Sequence, residues 1–160
     1  MAQKYQKECL NGHQLSVTSI SPSDPDEFCS KCGLQVISTC QNCHAPIPGW
    51  YENEEIMYIG KRTASLPSYC SKCGKPHPWI QTILDNAAEL IALDTELSEP
   101  EKIAIKASIP DLLVETPKTP IAEAKFKIYF AKMGQVVKTG MYNLIVDVIS
   151  ESVKKSIFPD

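Results

Sequence analysis

No run in the 160-residue sequence approaches the roughly 20 consecutive apolar residues that a membrane-spanning helix needs. Strictly apolar runs are only a few residues long, as at Leu144-Ile145-Val146. The N-terminus carries Lys4, Lys7 and Glu8 but no apolar segment behind them, so no secretory leader is expected and the cytoplasm is the expected compartment. Basic charge is not in excess. The formal net charge of −3 argues against a protein whose main task is to coat nucleic acid. Low-complexity tracts and long-period repeats are absent. Cysteine is absent from everything after Cys73.

What is present is unevenly placed. All seven cysteines, seven of the twelve prolines and five of the seven glycines fall before residue 80. Beyond Trp79 the composition turns to Ala, Leu, Ile, Lys and Glu, the residues of helices. A shift this sharp marks a boundary near residues 76–80, giving domains at 1–78 and 79–160. Residues 1–78 hold seven basic and seven acidic side chains and residues 79–160 hold nine and twelve, so neither half is a basic patch.

The cysteines fall into pairs. Cys9-Leu10-Asn11-Gly12-His13 is a Cys-x3-His pair, and Cys29/Cys32, Cys40/Cys43 and Cys70/Cys73 are three Cys-x2-Cys pairs. Seven thiols and one imidazole fill two four-coordinate zinc sites with none left over. Two thiolates this close on a tight turn point at one metal, and a residue tolerant of positive φ is favoured where the chain reverses. Gly12, Gly33 and Gly74 occupy such places, whereas His44 follows Cys43. An odd cysteine count without a leader argues against disulfides. Three tandem pairs beside a Cys-x3-His argue against a single redox dithiol, and four separated pairs against an iron–sulfur cluster.

Sequential pairing places Cys9, His13, Cys29 and Cys32 on one zinc and Cys40, Cys43, Cys70 and Cys73 on a second, the layout of two tandem zinc ribbons. The rival is the cross-braced order of a RING finger. That order is disfavoured by the seven residues between Cys32 and Cys40 and by a histidine that comes second among the ligands. The segment Gly33–Thr39 reads as a linking strand, and the insert between Cys43 and Cys70 as two short strands around the polar Asn53-Glu54-Glu55, the second over Ile56–Arg62. Trp50, Tyr51, Tyr58 and Tyr69 beside Lys61 and Arg62 would suit base stacking. The plainer expectation is that they cover a zinc domain poor in core. His44 and His77 are expected to be exposed or to lie behind the ligands.

The run Pro67-Ser68-Tyr69-Cys70-Ser71-Lys72-Cys73-Gly74-Lys75-Pro76-His77-Pro78-Trp79, taken with Cys9–His13 and with Cys40-Gln41-Asn42-Cys43-His44-Ala45-Pro46-Ile47, resembles the bacterial family catalogued as domain of unknown function 2321. The resemblance runs along most of the chain. It implies a double zinc-ribbon module joined to a helical C-terminus, with metal ligands at the eight positions above, and it implies no activity.

In the second half, Trp79, Ile80, Ile83, Leu84, Ala87, Leu90 and Ile91 share one face of a helix over 79–94. Ser98-Glu99-Pro100-Glu101 is a capping box opening a helix of about ten residues that stops before Pro110. Asp111–Val114 reads as a helical turn. Thr119 is expected to cap a helix with Pro120 at its first position. The apolar stripe Ala122, Phe126, Tyr129, Met133, Val137, Gly140, Leu144 and Val148 continues nearly to the end. One helix over 120–157 would be about 55 Å long, so it either breaks at Gly134 or protrudes. Ile145 and Ile149 widen this face, and residues 120–158 are expected to mediate self-association or partner binding, the alternative being that they fold back on the helix at 79–94 as a plain helical core.

For function, each candidate zinc is closed by four protein donors, whereas a catalytic zinc keeps one position open. No Ser/His/Asp set or phosphate-cradling glycine loop stands out, so the chain is not expected to be an enzyme. Two loaded zinc sites would take the formal charge from −3 to −6, because four donors with three thiolates leave −1 and four thiolates leave −2. Phosphate is repelled by such a charge, and a protein partner is expected, with nucleic-acid binding as the alternative.

Overall fold

The computed structural model describes residues 2–22 and 27–159, so Asp24 and Asp26 of the first insert lie outside the described residues. The chain divides into two compact units, Met1–Thr82 and Ile83–Asp160.

The first unit is built on β1 (Ala2–Cys9). This strand pairs antiparallel with β2 (Gln14–Ser19), with β3 (Val36–Ile37) through Glu8 and Cys9, and with β4 (Pro48–Glu52) from Ala2 to Tyr5. Alternation along β1 buries Gln6 and Glu8 on one face. The buried amide of Gln6 has partners: Nε2 donates to the carbonyls of Pro48 and Ser65, and Oε1 accepts from Gln14 Nε2. Gln14 Nε2 also donates to the Ala64 carbonyl, so two glutamines strap segment 64–65 onto the sheet. Gly49 permits a close strand crossing. A Cβ there would stand 2.3 Å from the Val17 carbonyl oxygen and 2.8 Å from the Tyr5 carbonyl carbon.

The linking segment after Cys32 is a strand only at Val36–Ile37, flanked by isolated bridges at Phe28–Gln35 and Thr39–Pro46. The second insert departs from expectation. β4 forms, but Ile56–Arg62 makes no strand: the amides of Glu55 and Ile56 turn back to Asn53 instead.

The second half of the chain is helical: α1 (Pro78–Leu93), α2 (Glu99–Ser108), α3 (Pro110–Leu113), α4 (Thr119–Lys132), α5 (Gln135–Ile145) and α6 (Glu151–Ile157). The capping box forms as read. The Glu101 amide donates to Ser98 Oγ, and the Ser98 amide donates to Glu101 Oε2. Thr119 lies inside α4 rather than capping it. Its hydroxyl is already engaged, donating to the Asp111 carbonyl and accepting from the Thr116 amide.

The expected single stripe from 120 to 157 is cut into three helices, with breaks at Met133–Gly134 and before Ser150. Both breaks return apolar faces to a shared interior. Ile105, Ile109, Leu112, Phe126, Met141, Ile145, Ile149, Val153 and Ile157 are all buried in this unit. Phe126, Phe130, Tyr142 and Phe158 form an aromatic cluster with ring centroids 4.8–5.8 Å apart. Ile145 and Ile149, expected on an association face, are core residues, since the breaks supply the neighbours that an unbroken helix lacks. No helix is long and apolar enough to cross a membrane, among the described residues.

Candidate metal centres

The four ligand pairs sit on four similar turns. In each Cys-x2-Cys turn the first cysteine's amide bonds five residues ahead, Cys29 to Leu34, Cys40 to Ala45 and Cys70 to Lys75. The carbonyl of that cysteine accepts from the residue after the second cysteine: Gly33, His44 or Gly74. Those three residues all have φ between 61° and 74°. Single bridges close the turns at Phe28–Gln35, Thr39–Pro46 and Tyr69–Pro76. The Cys9–His13 turn is one residue shorter and is closed by the end of the β1–β2 ladder, with Gly12 at φ 83°. Glycine carries the positive φ without a Cβ clash in three turns, and His44 carries it in the fourth without altering the hydrogen-bond pattern.

These turns gather the donors into two groups. Cys9, His13, Cys29 and Cys32 form one, and Cys40, Cys43, Cys70 and Cys73 the other, with all donor atoms of each group within 4.8 Å. The pairing is therefore sequential, and the cross-braced order is not adopted. In the first group Cys9 Sγ lies 3.4 Å from His13 Nδ1 and 3.6 Å from Cys32 Sγ, while Cys29 Sγ lies 3.6 Å from His13 Nδ1. In the second, Cys40–Cys73 and Cys43–Cys70 sulfurs are 3.7 and 3.6 Å apart. Sulfurs at about 2.3 Å from a tetrahedral zinc stand about 3.8 Å from each other, and a sulfur and an imidazole nitrogen about 3.6 Å. A disulfide needs about 2.05 Å, and all seven thiols are free. The donor sets fit tetrahedral zinc.

The thiols within each group are shifted in opposite directions. The amides of Cys73 and Lys72 hold the Cys70 thiol down to about 6. Burial pushes the Cys29 thiol up, but the amides of Lys31 and Cys32 outweigh it and leave it at about 6. Cys73 is likewise lowered, chiefly by the Lys75 amide, whereas one thiol in each group is raised. Cys9 is raised by burial. At Cys43 the Ala45 amide pulls down, yet burial and the surrounding sulfurs push the thiol up to about 11. A bound cation would let the clustered sulfurs of each group ionise together. Backbone amides of His13, Asn42 and Lys72 donate to Cys9, Cys40 and Cys70 at 3.4 Å, fixing the directions of those sulfurs.

The leftover histidines separate. His44 is exposed. His77 is buried and stacks on Trp79 at 4.9 Å, and burial lowers its pKa. Trp79 Nε1 donates to the Pro67 carbonyl, and a Cβ on Gly12 would meet Trp79 Cβ at 2.9 Å, so this pair closes the first unit beside the Cys9–His13 turn. Sequence reasoning counted Glu8 as an ordinary acid. It is fully buried next to Cys9, with neither carboxylate oxygen hydrogen-bonded, and burial pushes its carboxyl up to about 8. The period-2 pattern of β1, which buries position 6 and position 8 together, was the available signal.

Of the aromatics grouped from sequence, Trp50 and Tyr58 pack together at 4.8 Å, and Tyr51 lies in the same groove. Tyr69 instead closes the Cys70–Cys73 turn.

A family model described as "Uncharacterized protein conserved in bacteria (DUF2321)" matches residues 2–157. No curated protein and no solved structure matches the chain.

Proposed function

The chain belongs to this family of uncharacterized bacterial proteins, and from that membership and the two donor groups we propose that it is a non-enzymatic zinc-binding interaction module. Two zinc ions, one held by Cys9, His13, Cys29 and Cys32 and one by Cys40, Cys43, Cys70 and Cys73, act structurally. They stiffen a small sheet that presents its inserts to a protein partner. The observation that carries this reading is the closure of both groups. Each offers four convergent donors at tetrahedral edge lengths, so a bound zinc has no position left for water or substrate. The zinc supplies cohesion where the unit has little apolar core: each structural site contributes on the order of 10 kcal/mol to folding. An acidic chain made more acidic by its thiolates favours a protein surface over phosphate.

Elemental analysis and X-ray absorption on the purified full-length chain test the metal reading. Two zinc ions per chain are expected, one with three sulfurs and one nitrogen and one with four sulfurs. Cys40→Ser should remove the second alone. A single zinc, or iron with visible colour, refutes the assignment. Photo-crosslinking from the second insert in living bacteria tests the partner class, and crosslinks to nucleic acid rather than protein would overturn it.

A further inference from the structure

Of the eight donors one stands in the open. Cys43 is exposed, whereas Cys40 and Cys70 are buried and Cys73 is half-buried. The exposure belongs to the whole tip of its turn: Gln41, Asn42, Cys43 and His44 are all exposed. In the equivalent places of the other Cys-x2-Cys turns, Cys32 and Cys73 are half-buried. No donor of the first group is exposed. Cys9 and Cys29 are buried with Val36 in a small apolar cluster, and Cys32 packs against it. A dissolved oxidant therefore meets the sulfur of Cys43 before that of any other donor.

The donor sets differ in the same direction. The first group holds three sulfurs and the imidazole of His13, which forms no sulfur–sulfur bond, and the second is all sulfur. With zinc bound as proposed, the reading on which this inference rests, three thiolates on a dication leave −1 and four leave −2. The second site is the more electron-rich of the two. Attack on an oxidant follows thiolate character and exposure, and Cys43 combines them. A second sulfur is at hand to complete the reaction. Cys70 Sγ lies 3.6 Å from Cys43 Sγ, on the facing turn.

We propose that Cys43 is a thiol-oxidation site, at which a hydroperoxide converts the second donor group from a closed metal site into a Cys43–Cys70 disulfide while the first group stays intact. The Cys43 thiolate attacks one oxygen of the peroxide. The O–O bond breaks, and the other oxygen leaves as hydroxide (alkoxide from an organic peroxide) and takes a proton from solvent. Cys43 is then a sulfenic acid. The Cys70 thiolate attacks its sulfur, the S–O bond breaks, and hydroxide leaves and is protonated to water. Two thiolates have given up two electrons and the peroxide has taken both. Cys40 and Cys73 remain as two donors where a structural site needs four, so the second group no longer closes on a metal.

The test uses the full-length chain with its metal content measured first, and two zinc ions are expected before oxidant. Hydrogen peroxide should then release one zinc per chain to a chromogenic indicator. Peptide mapping after alkylation should find a Cys43–Cys70 disulfide, with Cys9, Cys29 and Cys32 still thiols. Dimedone present during oxidation should mark Cys43. Dithiothreitol and added zinc should restore two ions. Cys43→His keeps four donors and should hold both ions through the same treatment. Trapping and mapping on the wild type decide the matter whether or not that variant loads. Fewer than two zinc ions before oxidant refutes the zinc reading and the oxidation site together. A chain that starts with two ions and loses both at once, oxidises the first group first, or forms a disulfide without Cys43 overturns the oxidation site alone. So does a chain that keeps both ions in excess peroxide.

Discussion

Four turns of the metal-ligand half reverse the chain at a residue of positive φ, and only His44 among those residues has a side chain to strain. Left-handed backbone costs an L-residue about 1–2 kcal/mol, partly offset because glycine loses about 0.5–1 kcal/mol more entropy on folding. His44→Gly should therefore leave the zinc-loaded chain as stable or raise its stability by up to about 1 kcal/mol. His44→Val should lower it by about 1–2 kcal/mol, because a β-branched residue fits that conformation worst. Thermal unfolding of the loaded forms decides the matter, and equal stability for the two variants would show that the turn relaxes. Gly49 is constrained by space rather than by φ. The atoms a methyl would strike belong to the backbone of Tyr5 and Val17 and cannot swing aside. Gly49→Ala should cost about 2 kcal/mol, seen as a lower chelator concentration for half-unfolding.

At the scale of elements, the helical unit is pinned by one buried carboxylate. Asp94 Oδ1 accepts from the amides of Glu96 and Leu97, and Oδ2 accepts from the Gly134 amide at 2.8 Å, tying the α1–α2 turn to the start of α5. Burial pushes its carboxyl up, but the amides of Gly134, Leu97 and Glu96 outweigh this and hold it below the usual range. A depressed folded pKa means that the ionised form stabilises the fold above the unfolded pKa of about 3.9. That stability is lost as pH falls through the folded value. Asp94→Ala should cost about 3 kcal/mol at neutral pH, and Asp94→Asn, which keeps the Oδ1 acceptor, about half as much. The deficit of each relative to wild type should shrink under acid, and a constant deficit would exclude the charge. Ile145 makes the complementary point. With its side chain 0% exposed, Ile145→Glu should abolish the helical signal at a cost on the order of 4 kcal/mol or more. A soluble, fully helical variant would show the residue to be peripheral.

For the molecule as a whole, the two units rest on different sources of stability. The helical unit closes its own apolar interior through Ile105, Phe126, Met141, Ile145 and Val153. The metal-ligand unit buries its cysteines, a few aliphatic residues, Trp79 and the polar Gln6, Glu8 and His77, so on the proposed zinc reading its cohesion comes from bound metal. Stripping metal with a strong chelator should therefore unfold residues 1–78 cooperatively while most of the far-ultraviolet helical signal and a protease-resistant C-terminal fragment survive. Loss of both halves in a single transition would refute this division of labour.

Local chemistry determined the parts of this protein that short spacing can encode. Cys-x2-Cys places two sulfurs on one turn whatever surrounds it, and Ser98 with Glu101 caps a helix through groups three residues apart. The four Cys/His pairs that the fold gathers, the capping box and the helical character of the second half were therefore legible directly. Spacing also favoured sequential pairing, through the seven residues between Cys32 and Cys40 and a histidine second among the ligands, but the choice became definite only when the fold gathered Cys9 and His13 with Cys29 and Cys32. Tertiary structure alone decided three things. Ile145 and Ile149 face inward because breaks near Gly134 and Ser150 fold three helices onto one interior. Glu8 is buried because β1 is the strand with which β2, β3 and β4 all pair, and the period-2 pattern of β1 says only that positions 6 and 8 share a face, not that the face is covered. Ile56–Arg62 has the residues of a strand but forms none, because the amides of Glu55 and Ile56 turn back to Asn53, a choice propensity does not encode.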